Sequence, residues 1–180
     1  MFLLYVFLLI LVVAVVLPFC RWGIHRMCLK RRMKALCRKK GCMLHTSGPL
    51  WFLGTRYGKN ADFALATETD VYAVKLFGVP RRHTALILHD EEKYSLRWMM
   101  GLLLQVRFHG DSRPEPFPAY DFQAVAPQLN VPRQNLLLIN PCPMKMLYRN
   151  REGQEKGFVL GDSFQQMRIL TIKEMEDMLS

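Results

Sequence analysis

The fold turns on residues 61–78, ADFALATETDVYAVKLFG. Asp62–Thr67 alternates loosely between apolar and polar side chains, and Val71–Phe77 is rich in β-branched and aromatic residues. Each run predicts a strand. The polar Glu68-Thr69-Asp70 between them predicts the turn of an antiparallel hairpin. Lys75 interrupts the second run. On an edge strand its amine can reach water. On a central strand it needs a carboxylate, and Asp62, where the first run begins, is the first candidate. Asp62 could also start its strand by accepting a backbone hydrogen bond from the Gly58-Lys59-Asn60 turn.

Downstream, Thr84–His89 (TALILH) predicts a third strand. Asp90–Lys93 reads as a turn and Tyr94–Met99 as the answering strand. Gly101–Phe108 is apolar enough for a strand or a helix, and periodicity leaves both open. The three prolines of 109–118 predict a loop, and Tyr120–Leu129 a short helix. Asn135–Ile139 (NLLLI) is a continuous apolar run, the pattern of a strand buried on both faces. Residues 143–160 predict a hairpin with its tip at Asn150–Gly153. Gly161-Asp162-Ser163 reads as a turn, followed by a strand at Met167–Leu170. Thr171 and Glu174 then match the capping box of a final helix running to about Leu179.

Upstream, the charge is lopsided. Of the 25 Lys and Arg in the 180-residue chain, nine fall in residues 21–40, which contain no acid; the other sixteen face all fifteen Asp and Glu. Nine of the net ten positive charges therefore belong to one short segment, which argues against a nucleic-acid-binding body. Just before that segment, residues 2–20 (FLLYVFLLILVVAVVLPFC) carry no charge. As a helix they would rise about 28 Å, close to the hydrocarbon thickness of a bilayer. A cleaved signal peptide would need basic residues before the apolar run and small residues at its end. Here the cations come after the run, so an uncleaved anchor is expected with the N-terminus outside and residues 21–180 in the cytoplasm of a single-pass cell-membrane protein.

The expected organisation is 1–20 as transmembrane anchor, 21–41 as basic juxtamembrane helix and 42–180 as a cytoplasmic mixed domain. In residues 25–41, Met27, Leu29, Met33, Leu36 and Cys37 form one apolar stripe, with Gly41 as the stop. Arg21, Trp22, Arg26, Lys30, Arg31, Arg32 and Lys34 are the expected membrane-interface residues. The bilayer and its anionic headgroups are their expected partners, and a protein partner for the basic helix is also envisaged. The five cysteines, four of them in the first 42 residues, do not form the pattern of a secreted disulfide framework. Cys20 beside the bilayer is a candidate for acylation.

Several of these segments resemble restriction-endonuclease-like domains. RMKALCRKKGCMLH is similar to their opening helix and first strand. ADFALATETDVYAVKLFG is similar to the central hairpin of the nuclease-related, NERD-type version, where an aspartate opens one strand and a Glu-x-Lys triplet lies on the next. NLLLINP and RILTIKEMEDML come later in similar order. The resemblance implies an α/β fold (α+β is the alternative): one mixed sheet flanked by helices behind the anchor. It implies a site where two carboxylates hold Mg²⁺ and a lysine steadies developing charge. Asp62 matches the first metal ligand and Lys75 the lysine. Ala73 stands where the family carries Glu, and a methyl group cannot coordinate a metal. Glu68 and Asp70 are the possible displaced carboxylates.

The expectation is a catalytically degenerate domain used for binding or scaffolding, with no cofactor. The alternatives are an active, membrane-tethered, Mg²⁺-dependent nuclease acting on nucleic acid, or a structural subunit of a membrane complex. Cys37, Cys42 and His45 suggest zinc only weakly, lacking a second ligand pair at a typical spacing. Trp51, Phe52 and Tyr57 near Arg56 and Lys59 could stack on bases, but their expected role is packing over the core.

Overall fold

The computed structural model describes residues 5–7, 13, 24, 27–47, 58–79, 84–99, 109–140 and 142–179. Most of the expected anchor, together with Arg21, Trp22 and Arg26, lies outside them, as do the Gly101–Phe108 segment and the aromatics at 51, 52 and 57. Tyr5, Val6, Phe7, Val13 and Ile24 are helical and exposed. Among the described residues, no helix is long and apolar enough to cross a membrane.

The helix expected in residues 25–41, α1, covers 27–40. Its end is set by its sequence. Gly41 adopts φ +70°, and the Cys42 N–H bonds the Cys37 carbonyl at 3.1 Å. That is the Schellman closure, in which a left-handed glycine lets the chain turn back over the last helical carbonyls. β1 (Met43–Thr46) comes directly after it and pairs antiparallel with β2 (Phe63–Ala66), which pairs antiparallel with β3 (Val71–Phe77). The Thr67 hydroxyl and the Asp70 backbone close the hairpin turn between β2 and β3.

The chain then leaves this sheet. β4 (Thr84–His89), β5 (Lys93–Met99), β6 (His109–Asp111) and β7 (Glu115–Pro116) come next, before β8 (Arg133–Ile139) returns to lie parallel beside β3. β9 (Lys145–Arg149) goes back to β4 and pairs parallel with it, and β10 (Glu155–Gly157) pairs with β9. β11 (Ser163–Phe164), β12 (Met167–Leu170) and the helix α2 (Ile172–Met178) finish the fold. The first sheet has the order β1-β2-β3-β8-β12-β11. The second runs β10-β9-β4-β5-β6, with β7 also on β5.

The expected single sheet is therefore corrected to two mixed sheets. Strand runs were readable in the sequence, but period-2 alternation does not say which strand a run will pair with. The loop expected at 109–118 holds two short strands. The helix expected at Tyr120–Leu129 is a series of turns instead. Ala126 there has φ +53° ahead of Pro127, and neither that backbone angle nor a residue preceding proline suits helix.

Alternation on the first sheet defines two cores. Phe63, Leu65, Val74, Leu76, Leu136 and Leu138 point one way, onto Leu29, Met33 and Cys37 of α1 and Met175 of α2. Ala64, Ala73, Phe77, Leu137 and Ile139 point the other way, onto Leu86, Leu88, Tyr94 and Met146 of the second sheet. Both helices thus cover one face of the first sheet and the second sheet covers the other. Because β8 is central and parallel to both its neighbours, Leu136–Leu138 are fully buried. Truncating such a residue to alanine costs about 2–5 kcal/mol. The capping box of α2 is complete: Thr171 accepts from the Glu174 N–H, and the Glu174 carboxylate accepts from the Thr171 N–H.

Candidate functional site

Lys75 and Asp62 come together as the hairpin requires. Phe63 faces Val74 in the β2–β3 register, which places Asp62 beside Lys75 one step further on. The Asp62 N–H bonds the Val74 carbonyl at 2.9 Å. Both side chains share the inter-sheet face with Ala64 and Ala73. The ammonium lies 3.4 Å from Asp62 Oδ2, with side-chain exposures of 1% and 5%. Lys75 Nζ also donates to the Asn60 carbonyl at 2.8 Å, and Asp62 Oδ2 accepts the Leu76 N–H at 2.8 Å. Asp62 is thus held by the neighbouring strand. A carboxylate at a strand start can reach across as easily as backward. Of the two settings considered for Lys75, the structure gives the central, inward-pointing one.

An aromatic cover closes over the pair. The Tyr120 ring centroid lies 5.3 Å from Lys75 Nζ, within cation–π range. Tyr120 packs edge-on against Phe117 and Phe122, and Phe117 stacks on Phe77 at 5.5 Å. Two features fix this cover. Asn60 and Asp121 form a parallel bridge, with the Ala61 N–H on the Asp121 carbonyl at 2.9 Å. Arg133, entering β8, donates to the carbonyls of Phe122, Val125 and Ala126 at 2.7, 2.8 and 2.9 Å. Sequence reasoning missed Arg133. Its carbonyl partners are seven to eleven residues upstream in a segment read as helix, where the carbonyls of Phe122 and Val125 would have been satisfied internally.

The remaining candidates do not join this site. Glu68 and Asp70 lie in the turn at the far end of the hairpin. Asp70 is five residues from Lys75 along the strand, roughly 16 Å at the usual rise, and its Oδ2 accepts from the Thr69 hydroxyl. Oxygens sharing a magnesium must each lie about 2.1 Å from it. The residues present therefore do not fit the divalent ion implied by the resemblance: one carboxylate is engaged with an ammonium and a backbone N–H, and Ala73 is fully buried with only a methyl to offer. Among the described residues no group of three His, Cys, Asp or Glu side chains could hold a metal.

The weaker zinc set divides across the sheet. Cys37 and Cys42 are buried on the helix side with Leu44, while His45 alternates to the opposite face beside Ala64. The His45 Nε2 is buried without a hydrogen-bond partner. Burial, then a hydrogen bond and charge from Cys42, push the Cys37 thiol up to about 12, which leaves it a poor nucleophile. Cys28, between Met27 and Leu29 of the stripe, is exposed. Of the expected membrane-interface cations, Lys30, Arg31, Arg32 and Lys34 all lie on α1. Arg32 is already bound to Glu176 of α2, its Nη2 at 2.6 Å from Oε2.

A second charged cluster lies on the outer face of the second sheet. Arg97 of β5 stands opposite Asp111 of β6, and Arg149 of β9 opposite Glu155 of β10. The pairs also interlock: Arg97 reaches Glu155 at 2.6 Å and Arg149 reaches Asp111 at 2.5 Å. The guanidiniums hold both carboxyls below their usual range, Arg97 contributing most in each case. Comparison of the chain with known protein families, curated proteins and solved structures finds no match.

Proposed function

We propose that this chain is a single-pass membrane protein whose cytoplasmic domain has a restriction-endonuclease-like core that has lost catalysis and serves binding or scaffolding at the membrane. The observation that carries this reading is the Asp62–Lys75 pair. It keeps the positions that the resemblance assigns to the first metal ligand and the lysine, but is closed under Tyr120 beside an alanine in place of the second metal ligand. A metal-dependent hydrolase needs open coordination positions and access for substrate. A buried ion pair of this kind holds a hairpin in register.

Two further observations support the reading. The order on which the resemblance rests (helix, strand, hairpin, later strand) is the order in space: α1, then β1-β2-β3-β8 side by side. The described residues of the expected anchor, Tyr5, Val6, Phe7 and Val13, are helical with exposed apolar side chains. α1 carries cations of the kind that hold a chain on the cytoplasmic side of a bilayer.

The test uses the full chain in detergent with Mg²⁺ or Mn²⁺ and single- and double-stranded DNA and RNA. The expected result is no cleavage above a blank preparation. Cleavage abolished by Lys75→Met, in a variant whose circular dichroism is unchanged, would establish the nuclease alternative in its place. Topology is tested separately with a C-terminal tag, which should be reached by protease only after the membrane is opened.

A further inference from the structure

We propose that the groove between α1 and β1 is a binding site for the phosphate of an anionic lipid headgroup, a reading that rests on the membrane anchor proposed above. Lys30, Lys34 and Arg38 stand four residues apart along α1, so they form one row about 12 Å long on one side of the helix. All three line a cavity of about 320 Å³ whose other walls are Cys37, Cys42, Leu44 and Thr46. Lysine and arginine rim it, and Cys37, Cys42 and Leu44 give it an apolar floor. Among the described residues no acid lines it, although the body of the chain has almost as many acids as cations.

That combination selects a class of ligand. The cationic rim suits a phosphate, the Thr46 hydroxyl can donate to one, and the apolar floor suits the glycerol and first methylenes beneath it. A free inorganic phosphate would use the rim and leave the floor unused. The position agrees: α1 is the element next to the expected anchor, and among the described residues β1 ends its sheet, leaving the groove's side away from β2 without a further strand. Arg32, two positions from Lys30 and Lys34, is turned to the opposite flank by Glu176. Arg32 thus fastens the helix to α2, while Lys30, Lys34 and Arg38 line the groove.

Native mass spectrometry of the full chain released from detergent tests this, with phosphatidylglycerol, phosphatidylcholine or inorganic phosphate added. Retention of phosphatidylglycerol over phosphatidylcholine is expected. Lys34→Gln with Arg38→Gln should weaken it about twenty-five-fold, at roughly fivefold for each cation. The charge-matched control, Arg31→Gln with Lys39→Gln, removes two exposed cations outside the groove and should leave retention near that of the parent. Equal loss in both pairs would mean diffuse attraction and overturn the site. Displacement of the lipid by equimolar inorganic phosphate would overturn the headgroup as its ligand. Alkaline extraction of membranes is run in parallel: a chain that washes off overturns the anchor, whereas one that stays while showing no lipid preference overturns the groove alone.

Discussion

The molecule holds two ion clusters built from the same chemical groups in opposite settings. Lys75 and Asp62 approach to 3.4 Å with almost no exposure. Arg97, Asp111, Arg149 and Glu155 interlock through several short contacts, each about a quarter exposed. By number and geometry of bonds the outer quartet looks stronger. Energetically the order reverses, because what matters is the state left when one partner is removed. In the quartet water replaces the missing partner. Beneath Tyr120 water has no such access, and the surviving charge stays buried.

The largest effect should therefore come from the single pair. Lys75→Met takes the ammonium from the Asp62 carboxylate while the Leu76 N–H still holds it in place, and should cost about 3–5 kcal/mol in urea unfolding. Asp62→Asn keeps an acceptor for that N–H and removes the charge, so adding it to Lys75→Met should restore a good part of the loss. A Lys75→Met variant no less stable than an Arg97→Gln variant would break the comparison outright.

Arg133→Met comes next. Its three bonds go to carbonyls of the segment that covers the pair. Bonds from a charged donor contribute about 1.5–3 kcal/mol each when well buried. Discounted for a half-buried side chain, their joint loss should cost about 2 kcal/mol and speed proteolysis within 117–126. The double variant with Lys75→Met sharpens the point. If this cover is what keeps water from the pair, loosening it first should reduce the cost of losing Lys75.

How much of the fold is legible in the sequence depends on the range of each interaction. β3, β4 and β12 match the runs expected from the sequence, and the α2 capping box and the Gly41 stop were also expected, because each is decided within a few residues. Asp62 and Lys75 were legible as partners because a hairpin fixes its own register. The second sheet was not, since β4 and β9 are brought together by pairing across more than fifty residues. For the same reason the quartet as a whole was invisible: Arg149 and Glu155 face each other within the expected 143–160 hairpin, but only the strand order brings Arg97 and Asp111 of β5 and β6 to them. Arg133 was lost with the mistaken helix at Tyr120–Leu129.

The two sheets should also separate by pH. His89, on the second sheet, is held below its usual value first by burial and next by Arg149. Its folded pKa is lower than its unfolded one, so the unfolded chain binds the extra proton. The stability it contributes is present above about pH 6.5 and falls as pH drops below that. Asp111 and Glu155 have depressed carboxyls, so their contribution is present above about pH 4 and is lost as pH falls through their lowered values. Urea midpoints measured from about pH 8 to about pH 3 should show both steps. His89→Gln should remove the upper one, and Arg97→Gln should shrink the lower.

The smallest effect expected is that of Arg97→Gln at neutral pH and moderate salt. Arg97 makes contacts with two carboxylates, yet exposed pairs contribute about 0–1 kcal/mol once screening and side-chain ordering are counted. Arg149 also remains to hold both acids. The deficit should shrink further in about 1 M salt, where the screening length is about 3 Å and no longer spans the cluster. Lys75→Met, by contrast, should lose the same stability at either salt concentration, because ions cannot enter the space under Tyr120. A salt titration of the two variants side by side thus separates them by mechanism as well as by size: an Arg97 deficit that resists salt would mean the quartet is shielded from solvent, and a Lys75 deficit that salt relieves would mean its cover opens.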